Sequence, residues 1–274
     1  MSADETCRGV LRCPDTDDSF ASTDFAIQTT KNMKMNSVFA SVAALAVVSQ
    51  AALAGDITGT VTLKGTPPPD RPIPFAKEDP NCSKLITETP TTHFYVVGAN
   101  GELADTIVML KNPPGAKSTG ATATPAVLDQ KNCQYTPQIM AIQTGQKLLV
   151  RNSDPVLHNV HALPKAAGNT EQNQAQMAGT PDLTMTFPAA ENFLKFQCDV
   201  HSAASGSWML AWVTVVDHPY FAVTDKEGKF TIKNVPPGKY TLTALHRKAS
   251  PTGVDQEIEV KDDGAKASFT LEVK

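Results

Sequence analysis

Short runs in which apolar and polar residues alternate recur along this chain. In residues 56–64, Ile57, Gly59, Val61 and Leu63 fall on one side and Thr58, Thr60 and Thr62 on the other. A period of two is that of a β-strand with one buried face. The same strand reading applies to residues 106–111, 138–143, 146–151, 183–187, 194–197, 229–233, 240–244, 257–260 and 268–273. Residues 209–216 form a longer and almost wholly apolar run, as expected of a central strand. Turn signals punctuate these runs at Thr144-Gly145, at residues 224–228 and at Pro236-Pro237-Gly238. Beyond residue 54 no segment carries a convincing helical period. The pattern predicts an all-β protein built from antiparallel sandwiches.

One apolar stretch departs from this pattern. Residues 37–52 carry no charge, Lys34 precedes them, and Ala52-Leu53-Ala54 places small residues at alternate positions before Gly55. A basic flank, a short apolar core and a small-residue exit predict a secretory signal peptide cut after Ala54. A bilayer anchor is the competing reading, because the charge-free run from Met35 to Gly55 is just long enough to span. The polar residues 1–32 precede a segment that ought to open a chain, which predicts initiation at Met33 or Met35, the alternative being a polar extension. Export would place the mature protein in the periplasm or outside the cell, with no membrane span.

Charge and cysteine content sharpen this picture. The net charge of −4 and the absence of a long basic run give no reason to expect a nucleic-acid partner. Of the 5 cysteines, Cys7 and Cys13 precede the leader and would be lost with it, leaving Cys82, Cys133 and Cys198. In an oxidising compartment an odd number leaves one thiol for another task. Cys198 alone has a histidine at ligand spacing, so the expected disulfide is Cys82–Cys133.

The candidate chemistry is the set His158, Cys198, His201 and Met209, in that order. Two imidazoles and a thiolate in a near-trigonal arrangement, with a weak axial thioether, are what a type 1 copper site requires. On the strand reading, His158 would end one strand and Cys198 a neighbouring one. The segment from about 124 to 216 resembles the cupredoxin family, and within it amicyanin and related small blue proteins. The likeness lies in His158-Asn159-Val160-His161, the preceding residues 145–152, and the Cys198-x-x-His201 loop. It implies a cupredoxin-like Greek-key β-sandwich holding one copper ion that cycles between Cu(I) and Cu(II). His158, Cys198 and His201 would be equatorial ligands, Met209 the axial one, and Asn159 the residue that ties the two ligand loops together. The pattern departs from the family between His201 and Met209, where residues 202–207 intervene. A plain core role for Met209 therefore stays open. His161 has the wrong strand parity to join His158. His93, His218 and His246 are read as structural or exposed, and Trp208 and Trp212 as packed in or beside the core.

Residues 221–242 resemble the carboxypeptidase-regulatory-like (transthyretin-like) β-sandwich. That pattern normally follows two earlier strands, which are present as Ile57-Thr58-Gly59-Thr60-Val61 and Ile107-Val108-Met109-Leu110. The expected organisation is an extension with signal peptide over 1–54, a discontinuous smaller sandwich over 55–118 with 217–274, and an inserted copper domain over 119–216. The expected function is that of an exported blue copper protein, a one-electron carrier serving a redox protein partner through the edge of the His201 ring. It is not expected to be an enzyme, since a copper oxidase or nitrite reductase needs further histidines for a second copper type. Two alternatives stay open: a copper storage or delivery protein using the same ligands, and a structural cell-envelope β-protein with a degenerate site.

Overall fold

A computed structural model describes residues 54–203 and 206–274. The leader, its possible initiators Met33 and Met35, and Cys7 and Cys13 lie outside the described residues. Among the described residues the helical elements are the short α1 (Phe75–Glu78) and a 3-10 turn at Gly120–Thr122. None of these helices is long and apolar enough to cross a membrane.

Almost everything else is β. In chain order the strands begin with β1 (Gly55–Lys64), β2 (Ile107–Leu110), β3 (Ala126–Lys131), β4 (Gln134–Thr136), β5 (Ile139–Gln143) and β6 (Leu148–Asn152). Next come β7 (His158–Leu163), β8 (Gln172–Gln176), β9 (Leu183–Met185), β10 (Glu191–Gln197), β11 (Ser202–Ala203) and β12 (Gly206–Ser207). The chain closes with β13 (Leu210–Val216), β14 (Phe221–Val223), β15 (Lys229–Val235), β16 (Gly238–His246), β17 (Ser250–Val260) and β18 (Ala265–Glu272).

These strands build two sandwiches. In one, the sheet β15-β1-β18 faces the sheet β14-β2-β16-β17. Its core takes Ile57 and Val61 from one sheet and Val108, Leu110, Leu242 and Ala244 from the other. The alternation seen in the sequence is what fills it: β18 buries every second residue. In the other sandwich, β5-β13-β10-β7-β8 faces β4-β3-β6-β9. Its core includes Leu128, Leu148, Val150, Val160, Leu194, Phe196, Ala211 and Val213. A small apolar contact of Ile107, Ile139 and Leu245, with Trp212 and Phe193 against it, joins the two.

Two expectations are corrected. The sandwiches are mixed rather than antiparallel, since β1–β18, β3–β6 and β5–β13 run parallel. Long connections through the opposite sheet bring these partners in with the same direction, which a tight hairpin cannot do. His158 opens strand β7 instead of ending one. The site geometry survives this, because β7 and β10 are antiparallel, with His161 opposite Gln197. The start of β7 and the residue after β10 therefore meet at the same end of the sheet.

The stretch between β1 and β2 also packs where chain order does not suggest. Ala76, Cys82 and Ile86 belong to the core of the second sandwich, with Ile73 and Leu85 against it. The expected Cys82–Cys133 disulfide is present and spans a sequence separation of 51 residues. Cys133 sits at the tip of the β3–β4 hairpin, where Asn132 and Cys133 both take positive φ, at 52° and 53°. Two left-handed residues in succession are what a tight two-residue hairpin turn needs, and asparagine is well suited to the first position.

Candidate metal centre

Three side chains converge at one end of the second sandwich. His158 Nδ1 lies 2.9 Å from His201 Nδ1, and Cys198 Sγ lies 3.6 Å from His201 Nδ1 and 3.9 Å from His158 Nδ1. All three residues are buried, His158 and Cys198 completely and His201 to 1% exposure. Donors about 2.0–2.3 Å from a common ion and about 120° apart would stand roughly 3.5–3.8 Å from one another. The observed triangle is close to that size.

The local chemistry suits a cation. With His158 Nε2–H given to Asp154 Oδ2 at 2.9 Å, the His158 Nδ1 is the lone-pair nitrogen and faces a second ring nitrogen and a sulfur. One shared proton can satisfy only one pair in such a triangle, whereas a metal ion satisfies all three. His201 Nε2 has no hydrogen-bond partner among the described residues, and Asp79 Oδ1 lies 4.0 Å from it. Burial alone would push the Cys198 thiol up, but hydrogen bonds from His158, His201 and the Asn159 backbone bring it down to about 6. A thiolate at neutral pH is the form that binds metal. The residues present thus fit the copper ion that the ligand set implies.

Asp154 holds this arrangement from behind, and the sequence reading assigned it no role. Its carboxylate accepts from the backbone N–H of Asn132 at 2.7 Å and of Cys133 at 2.8 Å, besides His158. Burial opposes ionisation, yet the His158 bond and those two backbone bonds outweigh it and hold the carboxyl below its ordinary range. His158 shows the converse: burial pulls its pKa down, but Asp154 and Cys198 leave it raised. The available signal was the Asn152-Ser153-Asp154-Pro155 turn just before the first ligand. There Asn152 Oδ1 accepts the Asp154 N–H at 3.0 Å and fixes the carboxylate.

Asn159 lies between the two ligand loops. Its Oδ1 accepts the backbone N–H of Asp199 at 2.5 Å and of Val200 at 3.1 Å, and its own N–H donates to Cys198 Sγ at 3.4 Å. Met209 is fully buried, and its carbonyl accepts the Cys198 N–H at 3.2 Å. The structure therefore places Met209 beside Cys198 through the backbone. The intervening residues form their own small hairpin, with Ser202 paired to Ser207 and Ala203 to Gly206. Ser207 Oγ spans its base, donating toward the carbonyls of His201 at 3.3 Å and Met209 at 3.2 Å.

His161 does not join the triangle and bonds Asp199 and Glu171, each at 2.7 Å. Partial burial pulls its pKa down, but those two carboxylates leave it raised. His218 and His246 are buried and His93 pairs with Asp70, all apart from the triangle.

The His201 ring, whose edge is the expected electron route, is buried. Segment 73–86 lies over it: both disulfide sulfurs lie within 4.8 Å of a His201 ring nitrogen and of each other. Trp208 stands on another side, its ring centre 6.0 Å from that of His201.

The family described as polysaccharide lyase family 4, domain II, matches residues 199–268, about a quarter of the chain. The match runs from the ligand loop into the first sandwich. No curated protein matches. Among solved structures, the Cu-containing nitrite reductase of Thermus scotoductus SA-01 is 15% identical over 38% of this chain and 25% of its own, with a TM-score of 0.29. A Cu(I) amicyanin variant is 19% identical over 39% of this chain and 97% of its own, with a TM-score of 0.28. An oxidized amicyanin variant gives 19%, 39%, 97% and 0.28 for the same quantities. The chain thus spans about a quarter of the nitrite reductase's length.

Proposed function

We propose that this chain is an exported protein with a single type 1 copper site, acting as a one-electron carrier rather than as an enzyme. The copper would be held by His158, Cys198 and His201, with Met209 as a weak axial ligand and Asn159 bracing the two ligand loops. In the same reading, residues 55–118 with 217–274, apart from the stretch 73–86 that packs on the other sandwich, form a carboxypeptidase-regulatory-like scaffold into which the copper domain of residues 119–216 is inserted. A redox protein in the periplasm or outside the cell is the proposed partner. The observation that carries the reading is the buried triangle of Nδ1, Nδ1 and Sγ. Soft thiolate suits Cu(I), imidazole suits both oxidation states, and a rigid sandwich lets both share one geometry.

Burial of the whole ligand set favours electron transfer over storage or delivery. A carrier must retain its metal, whereas a delivery protein must hand it over through an accessible ligand. With the His201 edge covered, electrons would pass through packed protein atoms around that ring. The test is to add Cu(II) to purified protein and to its Cys198→Ala variant. The first should turn intensely blue through thiolate-to-copper charge transfer; the variant should stay folded and colourless. A blue Cys198→Ala protein overturns the ligand assignment. A colourless wild type that still binds Cu(I) turns the reading to storage.

A further inference from the structure

A cavity of about 640 Å³ opens beside the metal centre, between segment 71–96 and strands β4 and β13. That volume falls within the ordinary range for small-molecule sites. The chain has 2 tryptophans, and both Trp208 and Trp212 line it, together with Phe94. Arg71, His93 and Asp105 supply charge and hydrogen-bonding capacity in the same lining. Two of the aromatic walls are braced from elsewhere. The Arg247 guanidinium lies 3.7 Å from the centre of the Trp212 ring, and Lys248 Nζ lies 4.0 Å from that of Phe94. Such cation–π contacts hold ring planes in place before anything binds.

We propose that this cavity binds a small planar aromatic molecule bearing hydroxyl or carbonyl oxygens, of the phenol or quinone class. Flat rings stack favourably on indole and phenyl walls, while a saturated molecule of equal volume gains only burial. The few polar groups would fix the orientation of the oxygens. Trp208 is shared between cavity and metal centre, so an occupant would lie one side chain away from His201. The inference deepens the copper reading by naming a small-molecule partner for that site, although binding itself does not depend on the metal.

Because both tryptophans line the cavity, their emission reports occupancy. The full chain, metal-free and copper-loaded, would be titrated with 4-nitrophenol, with cyclohexanol as the saturated control. Saturable quenching at one molecule per chain is expected, and excess cyclohexanol, which does not itself quench, should displace 4-nitrophenol only weakly. Val96→Phe places extra bulk in the lining and Phe94→Ala removes a wall; each should weaken binding roughly tenfold or more, about 1.4 kcal/mol. Thermal unfolding and blue colour serve as folding controls for both variants, so that either alone suffices. The proposal is overturned if wild-type quenching fails to saturate, if cyclohexanol displaces 4-nitrophenol at equal concentration, or if a folded variant binds like wild type. Blue colour without saturable quenching removes the cavity proposal and leaves the copper reading standing. Saturable quenching in a protein that takes up no copper does the reverse.

Discussion

Asp154 shows how much of the centre rests on a residue outside the His158–Cys198–His201 triangle. One carboxylate accepts from His158 and from both N–H groups of the hairpin turn that carries Cys133. Asp154→Asn keeps the shape but removes the charge and sets an amide N–H donor either against the Asn132 N–H or against His158 and the Cys133 N–H, so the hold on the His158 tautomer weakens. Copper affinity should fall roughly 10–100-fold, the usual cost of losing a partner behind a ligand histidine. Competition against a copper chelator measures it, and unchanged affinity would reduce Asp154 to a turn residue. Met209 allows a finer test. Leucine conserves its volume, so Met209→Leu should cost less than about 1.5 kcal/mol of stability. If the thioether is the axial ligand, copper stays bound while the reduction potential rises and the absorption bands shift. If neither moves, Met209 is a core residue only.

At the level of strands, the sequence showed most of what it could. Runs with one buried face, such as β1, β15 and β18, alternate cleanly and were legible. Strand β8 was not, because Gln172–Gln176 pairs with β7 while exposing most of its side chains. No apolar period marks such a strand; its backbone partner creates it. That His158, Cys198 and His201 come together could be expected from their order in the sequence, and the role expected of Asn159 came from the resemblance. The cover over His201 could not, because segment 73–86 arrives from a distant part of the chain through packing of Ala76, Cys82 and Ile86. That cover makes its own prediction. Replacing Cys82 and Cys133 together by alanine should cost about 2–4 kcal/mol of stability. It should also free the segment over His201, so that a chelator strips copper several times faster while the blue spectrum of the loaded protein is kept. Equal stripping rates would show that the cover does not depend on the disulfide.

Across the whole molecule, the two sandwiches meet near His246 and Arg247, and this junction makes its own contribution to how stability depends on pH, beside those of Cys198, His158 and His161. His246 is buried, stacks on Tyr95 at 5.3 Å, and accepts the backbone N–H of Ala249 through Nδ1 at 3.0 Å. An accepting Nδ1 requires the neutral ring. Burial, reinforced by the neighbouring Arg247 charge, lowers its pKa to about 4. His218 is built alike: its Nε2–H donates to the Leu110 carbonyl at 2.9 Å, Nδ1 accepts from Tyr220, and burial lowers its pKa. Both rings bind protons more readily in the unfolded chain. Their contribution is therefore complete above about pH 6.5 and is lost as pH falls toward the folded value. For His246 alone the loss should reach about 2 kcal/mol at pH 5 and roughly 3 kcal/mol at pH 4. The carboxylates whose pKa values are lowered by pairing, such as Asp56 and Asp255, begin to matter only at lower pH. Urea unfolding of metal-free protein at pH 7.5 and pH 5, for wild type and His246→Gln, isolates the effect. The variant should be less stable at pH 7.5, since it loses a packed ring, but should lose about 2 kcal/mol less than wild type on going to pH 5. Equal losses in the two proteins would mean that His246 takes up its proton in the folded state without penalty, and that the junction yields to it.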